Sequence, residues 1–181
     1  MKELSLNILD IAKNSVRAGA TLIQIAVSEQ PDRLSIEISD NGCGMTPEFV
    51  ARVTDPFTTT RTTRKVGLGL PLMKMEAQMA GGDLTISSEV GVGTTVCTWF
   101  DPSHIDMPPL GDVNSSLITL IQGNPEIDYC YTHTLGDASY TLDTREIREI
   151  MGDISLAEPE ILMWLQSFLE ENESELTSAG N

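Results

Sequence analysis

Apolar residues recur along the first part of the chain with two different periods. Between residues 4 and 18, Leu6, Leu9, Ile11 and Val16 stand among polar residues at roughly helical spacing, and "AGAT" closes the run. This pattern predicts a helix. "TLIQIAVS" (21–28) and "RLSIEIS" (33–39) alternate instead, with "PD" between them, which predicts an antiparallel hairpin. Thr46 as N-cap and Pro47 at the first helical position open a short helix through "TPEFVARV". Residues 55–69, "DPFTTTRTTRKVGLG", lose all periodicity and read as a mobile loop. "LPLMKMEAQMA" (70–80) is helical again and ends at Gly81-Gly82, and "DLTISSE" and "GTTVCTWF" form a second hairpin around "VGVG". Helix, two strands, helix, loop, helix and two strands describe an α/β two-layer sandwich, with one helical layer on one antiparallel-leaning sheet.

The Pro-rich, acidic "DPSHIDMPPLGD" then marks a boundary. The expected division is residues 1–101, a linker over 102–111, and a small acidic α+β partner-docking region over 112–181. In that last region "DVNSSLITLIQGN" reads as a helix stopped by Gly123, and "IDYCYTH" and "ASYTLD" as a hairpin. Asp143 and Glu146 stand at capping-box spacing. Ile161, Leu162, Leu165, Phe168 and Leu169 share one face of a helix that Pro159 opens, and "NESELTSAGN" reads as a frayed tail.

Charge changes this picture. The chain of 181 residues carries a formal net charge of −16, concentrated in its last eighty residues, where Arg145 and Arg148 are the only Lys or Arg. That half repels nucleic acid and anionic lipid. No apolar run reaches the roughly 18–20 residues that span a bilayer, and the charged N-terminus does not resemble a signal peptide. The expected location is cytoplasmic. Cys43, Cys97 and Cys130 are odd in number, lack CxxC spacing, and read as free thiols. Against the acidic background, Arg61, Arg64 and Lys65 form a local basic cluster that suggests an anion site.

Four stretches carry candidate chemistry. "LDIAKNSVRAGAT" places Asp10, Asn14 and Arg17 four and three residues apart, on one helix face. "DNGCGM" ends a strand with Asp40, Gly42 and Gly44 at alternate positions. "KVGLGL" is a Gly-rich loop at a helix start, a place where bare N–H groups and the helix dipole favour phosphate. "GVGTTV" opens the last strand of the first half. The Asn14 amide oxygen suits Mg2+, a hard ion that takes few protein oxygens.

In this order, the four stretches resemble the N, G1, G2 and G3 boxes of the ATP-binding domain shared by sensor histidine kinases, gyrase, Hsp90 and MutL. "DPFTTTRTT…GLGL" most resembles the nitrogen-regulation type of histidine kinase, and "NSVRAGAT" is similar to MutL. The resemblance covers residues 1–101. It implies a Bergerat-type fold, with helices on one face of a mixed sheet, and ATP and Mg2+ as ligands. It implies that Asp40 accepts from the adenine amino group, that Gly42 permits the turn, and that Gly44 and Met45 lie beside the base, with Thr95 supporting it. It further implies that Asn14 holds Mg2+ and Arg17 a phosphate. Arg61, Arg64, Lys65, Gly67, Leu68, Gly69 and Leu70 would form the phosphate loop, and Phe57 the aromatic of the covering segment. Where hydrolysing members carry Glu as water-activating base, this chain has Asp10, one methylene shorter; Asp10 is the candidate general base.

The resemblance implies a kinase-like module acting on a separate protein, because the chain begins directly at the first box, without the phosphoacceptor helix that kinases of this type carry upstream. The alternatives are a nucleotide-sensing module without phosphotransfer, and a slow ATPase. Chains similar over the full length, including "PPLGD" and "DTREI", are associated with hydrogenase or NADH-dehydrogenase-type subunits; this family association supplies the only partner expectation. Plain readings stand beside these. Arg17, Arg64 and Lys65 can be solvated residues, Met73, Met75 and Met79 core filler, Cys43 a turn residue and His133 structural.

Overall fold

The computed structural model describes residues 3–55 and 69–180. In chain order the elements are α1 (Leu4–Arg17), β1 (Leu22–Gln30), β2 (Arg33–Asp40), α2 (Pro47–Val53), α3 (Gly69–Met79), β3 (Asp83–Glu89), β4 (Gly93–Phe100), α4 (Val113–Gly123), β5 (Asp128–Leu135), β6 (Ala138–Asp143), α5 (Thr144–Met151) and α6 (Pro159–Gly180). The six strands form one mixed sheet in the order β3-β4-β2-β1-β5-β6. Alternation sets its two faces. Tyr131, Ile25, Ile38 and Val96 sit opposite one another on consecutive strands and are all buried. The neighbours Gln24, Ala26 and Glu37 on the other face are exposed. The helices therefore cover one face only.

Both predicted hairpins of the first half form, as does the one in the second half. Thr46 caps α2, accepting from the Phe49 N–H, and Pro47 follows it. Three sequence expectations change. In α1 the buried stripe is Leu4, Ile8, Ile11, Ala12 and Ser15, whereas Leu6 is 47% exposed. In α3, Met73 is buried but Met75 and Met79 are half exposed, so only one of the three fills the core. The "NESELTSAGN" segment is helical to Gly180 rather than frayed, because Leu176 is buried and holds the last turns down.

The two halves share one sheet. β5 pairs in parallel with β1 from Leu22↔Asp128 to Glu29↔Leu135. A parallel neighbour needs a crossover, and α4 provides it, packing on α1. The 109–110 segment also caps the start of α1: the Leu4 and Ser5 N–H groups donate to the Pro109 and Leu110 carbonyls at 2.9 and 2.8 Å. The 102–111 stretch thus connects parts of a continuous sheet. The expected mobile loop, 55–69, falls almost wholly on residues outside those described.

Candidate functional site

Where β2 ends, the sheet and helices leave a cavity of about 410 Å³. Ile38 and Asp40 of β2, Thr94 and Val96 of β4, Ile11 and Ser15 of α1, Phe49 and Val53 of α2, and Leu70 of α3 line it, with Gly44 and Met45 from the turn after β2. Its walls are mainly apolar, with few polar groups pointing in, as small-molecule sites are.

The central polar group is the Asp40 carboxylate. Its Oδ2 accepts from Ser15 Oγ at 2.6 Å, and its Oδ1 accepts from the Gly42 N–H at 2.9 Å. Both oxygens are fixed, yet each keeps a further acceptor direction. Ser15 is 3% exposed and sits one residue after Asn14, so α1 aims this hydroxyl at the strand end. Asn41 anchors the same corner, its Oδ1 accepting from the Thr21 and Leu22 N–H groups.

The two glycines have different reasons to be there. A Cβ on Gly42 would lie 2.8 Å from the Ala18 Cβ, so this glycine lets the turn press against the end of α1. Gly44 has φ +73° and would put a Cβ 2.0 Å from the Glu89 carbonyl oxygen. Its backbone, not Gly42's, takes the left-handed conformation. Gly44→Ala is expected to lower the melting temperature by more than about 5 °C, from strain and backbone collision together. A thermal melt within a degree of the unchanged protein would contradict this placement.

On α1, Asn14 and Arg17 both border the cavity. The Arg17 guanidinium donates to Asn14 Oδ1 at 2.8 Å, while the buried Asn14 Nδ2 has no hydrogen-bond partner among the described residues. Asp10 stands one turn earlier, exposed, and does not line the cavity. A Cβ on Gly69 would lie 3.1 Å from that of Asp10, so the start of α3 is brought against α1 at this point. Thr95 is corrected. It is paired with Ser39 on the open face of the sheet, their hydroxyls 2.9 Å apart, and strand alternation puts Thr94 into the cavity instead. Ser15 and Thr94 are among the lining residues that sequence reasoning missed; Thr94 could have been found by its even spacing from Val96. Phe57, Arg61, Arg64, Lys65, Gly67 and Leu68 lie outside the described residues.

Residues 2–104 match the family described as histidine kinase-, DNA gyrase B-, and HSP90-like ATPase. The chain belongs to this family. Its members bind ATP with Mg2+. Similar proteins include the non-motile and phage-resistance protein of Caulobacter vibrioides, 34% identical over 59% of this chain and 14% of that protein. The histidine protein kinase DivJ of the same organism is 31% identical over 53% of this chain and 17% of its own length. A probable C4-dicarboxylate sensor kinase of Bacillus subtilis is 36% identical over 40% of this chain and 14% of its own. The chain thus spans about one-sixth of these relatives or less, and what it matches in the kinases is their catalytic portion. It is an ATP-binding-type domain akin to histidine kinase catalytic domains.

The residues present fit this ligand. A fixed acceptor, an apolar slot and a buried amide with an unused donor are what a base and a polyphosphate need at their two ends. Among the described residues no helix is long and apolar enough to cross a membrane, and no group of His, Cys, Asp and Glu could hold a metal ion by itself. A divalent cation here would depend on Asn14 together with ligand phosphates.

Proposed function

We propose that this domain binds Mg-ATP in the cavity beside Asp40 and transfers the γ-phosphoryl group to a side chain of a separate protein. The observation that carries the reading is the Asp40 carboxylate, held at both oxygens and facing the cavity. It can accept from the amino group of adenine; guanine presents a carbonyl oxygen there, and two acceptors would face each other. Ile38, Val96 and Leu70 exclude water from the base.

Asn14 Oδ1 would hold Mg2+, which neutralises and orients phosphate oxygens. If the cation displaces the Arg17 bond to Asn14 Oδ1, the freed guanidinium can meet a phosphate. Metal and phosphate binding are in this way coupled within one turn of α1. Asp10, exposed and a turn away, can take the proton of the incoming nucleophile as the phosphoryl group moves to it and ADP leaves.

Asn14→Ala is expected to remove most of the affinity that Mg2+ adds to ATP while leaving adenosine binding within about twofold. Titrations with and without Mg2+ test this, and a mutant that keeps the full Mg2+ increment would remove Asn14 from the metal site.

Tight contacts between α1 and the C-terminal half favour a second reading, a nucleotide sensor without phosphotransfer. Ser116 Oγ donates to the Ser5 carbonyl, and residues 109–110 cap the helix that carries Asn14. The fate of label from γ-labelled ATP separates the two: label on an added protein supports transfer, label in free phosphate supports hydrolysis, and label left on ATP supports sensing.

A further inference from the structure

The exposed apolar side chains outside the cavity include an adjacent pair on α6. Met163 is 70% exposed and Trp164 48% exposed, although α6 buries Ile161, Leu165 and Leu169 on its inner face. The pair is not needed by the core. Nor is Trp164 loose: its ring stacks on Phe168, centroids 5.4 Å apart, and Phe168 meets Tyr140 of β6 edge-on at 6.3 Å. Tyr140 in turn donates to Glu173, which also bonds the buried His133. An aromatic ladder rooted in the sheet therefore holds an amphipathic ring at the surface, with little side-chain entropy left to lose on contact.

The surroundings define what can land there. Glu160 stands one turn before Trp164 on the same face and Glu171 two turns after it, both exposed and neither in an ion pair among the described residues. The two arginines of this half are already committed, Arg145 to Asp143 and Arg148 to Asp128. A second copy of the chain fits poorly, since both would bring the same acids and a net charge of −16.

We propose that the Met163–Trp164 face of α6 is a docking site for a basic amphipathic helix of another protein. An apolar side chain of that helix seats against Trp164, and Lys or Arg one turn to one side and two turns to the other meet Glu160 and Glu171. Aromatic anchors ringed by complementary charge are the usual form of such contacts. The proposal stands apart from the phosphotransfer reading, because it uses no residue of the nucleotide cavity.

The test uses the full chain without nucleotide and a labelled synthetic helix with leucines on one face and Lys and Arg on the other, followed by anisotropy at physiological salt. The probe should bind, and the same helix with Glu in place of Lys and Arg should not. Met163→Ser/Trp164→Ser should weaken binding at least tenfold, and Glu160→Gln/Glu171→Gln severalfold with a shallower salt dependence. Met163→Ser alone, at the more exposed position, should weaken it measurably with an unchanged melt. Asn14→Ala should leave it unchanged. Failure of the basic helix to bind, equal binding of the acidic one, or equal affinity in the Met163/Trp164 variants would each overturn the proposal.

Discussion

Asp40→Ala is expected to cost the domain about tenfold to a hundredfold or more in ATP affinity. A hydrogen bond to a charged group is worth about 1.5–3 kcal/mol, and the carboxylate is already oriented by Ser15 and Gly42, so none of that is spent on ordering it. The same substitution strands the Ser15 hydroxyl and the Gly42 N–H, so a modest fall in melting temperature should accompany it. Asp40→Asn separates the two effects. Its amide can accept from the Gly42 N–H with its oxygen, while the Ser15 hydroxyl rotates to accept from its nitrogen. The fold should hold, but the nitrogen now offers a donor to a guanine carbonyl, and the preference for ATP over GTP should shrink. Calorimetric titration of both nucleotides into the three proteins measures this. Equal affinity of the unchanged protein for ATP and GTP would defeat the assignment of Asp40.

The largest effect on stability is expected at His133. This imidazole is 5% exposed and lies between two carboxylates: Nε2 is 2.6 Å from Glu29 of β1 and Nδ1 is 2.7 Å from Glu173 of α6. The Tyr140 hydroxyl also donates to Glu173. Both ring nitrogens can donate only if the ring is protonated. Burial by itself pushes the His133 pKa down, but the hydrogen bonds to Glu173 and Glu29, with their charges, outweigh it and raise it to about 9. The folded value lies above the unfolded one of about 6.5. This contribution to stability is therefore complete below about pH 6.5 and is lost as pH rises through about 9.

His133→Leu leaves the two carboxylates facing each other with no cation between them. Removing one partner of a buried pair costs about 3–5 kcal/mol, and less where the acids keep some solvent, as Glu29 and Glu173 do. A cost of about 2–4 kcal/mol corresponds to a fall of roughly 5–15 °C in a chain of this size. The melting temperature of the unchanged protein should also drop between pH 7 and pH 10 by more than that of His133→Leu. Parallel pH profiles for the two would show that His133 is not the titrating latch.

The periodicities that were legible in the sequence are those governed by local rules. Alternation in 21–28, 33–39 and the two later hairpins gave strands where strands stand, because half-buried strands need one apolar face. The acid at the end of β2 and the Asn14–Arg17 spacing on α1 were also visible, and the structure brings Asp40, Asn14 and Arg17 to one cavity. Where two neighbouring residues are chemically alike, residue type does not choose between them and only the strand alternation does. Thr94 and Thr95 differ only in which face the pleat turns them to, and that is fixed by register with Asp40 and Ser39 on β2.

What tertiary structure alone decided is long-range. The prolines of the 102–111 stretch are visible in the sequence; that β5 returns past it to lie parallel on β1, a pairing over a hundred residues apart, is not. Nor does the sequence of His133 announce its partners, since Glu29 and Glu173 come from opposite ends of the chain. Local composition determines which segments become helix or strand and which residue types reach a turn. Which segments then meet depends on the free edge and the apolar face that the rest of the fold leaves uncovered, and that is a property of the assembled chain.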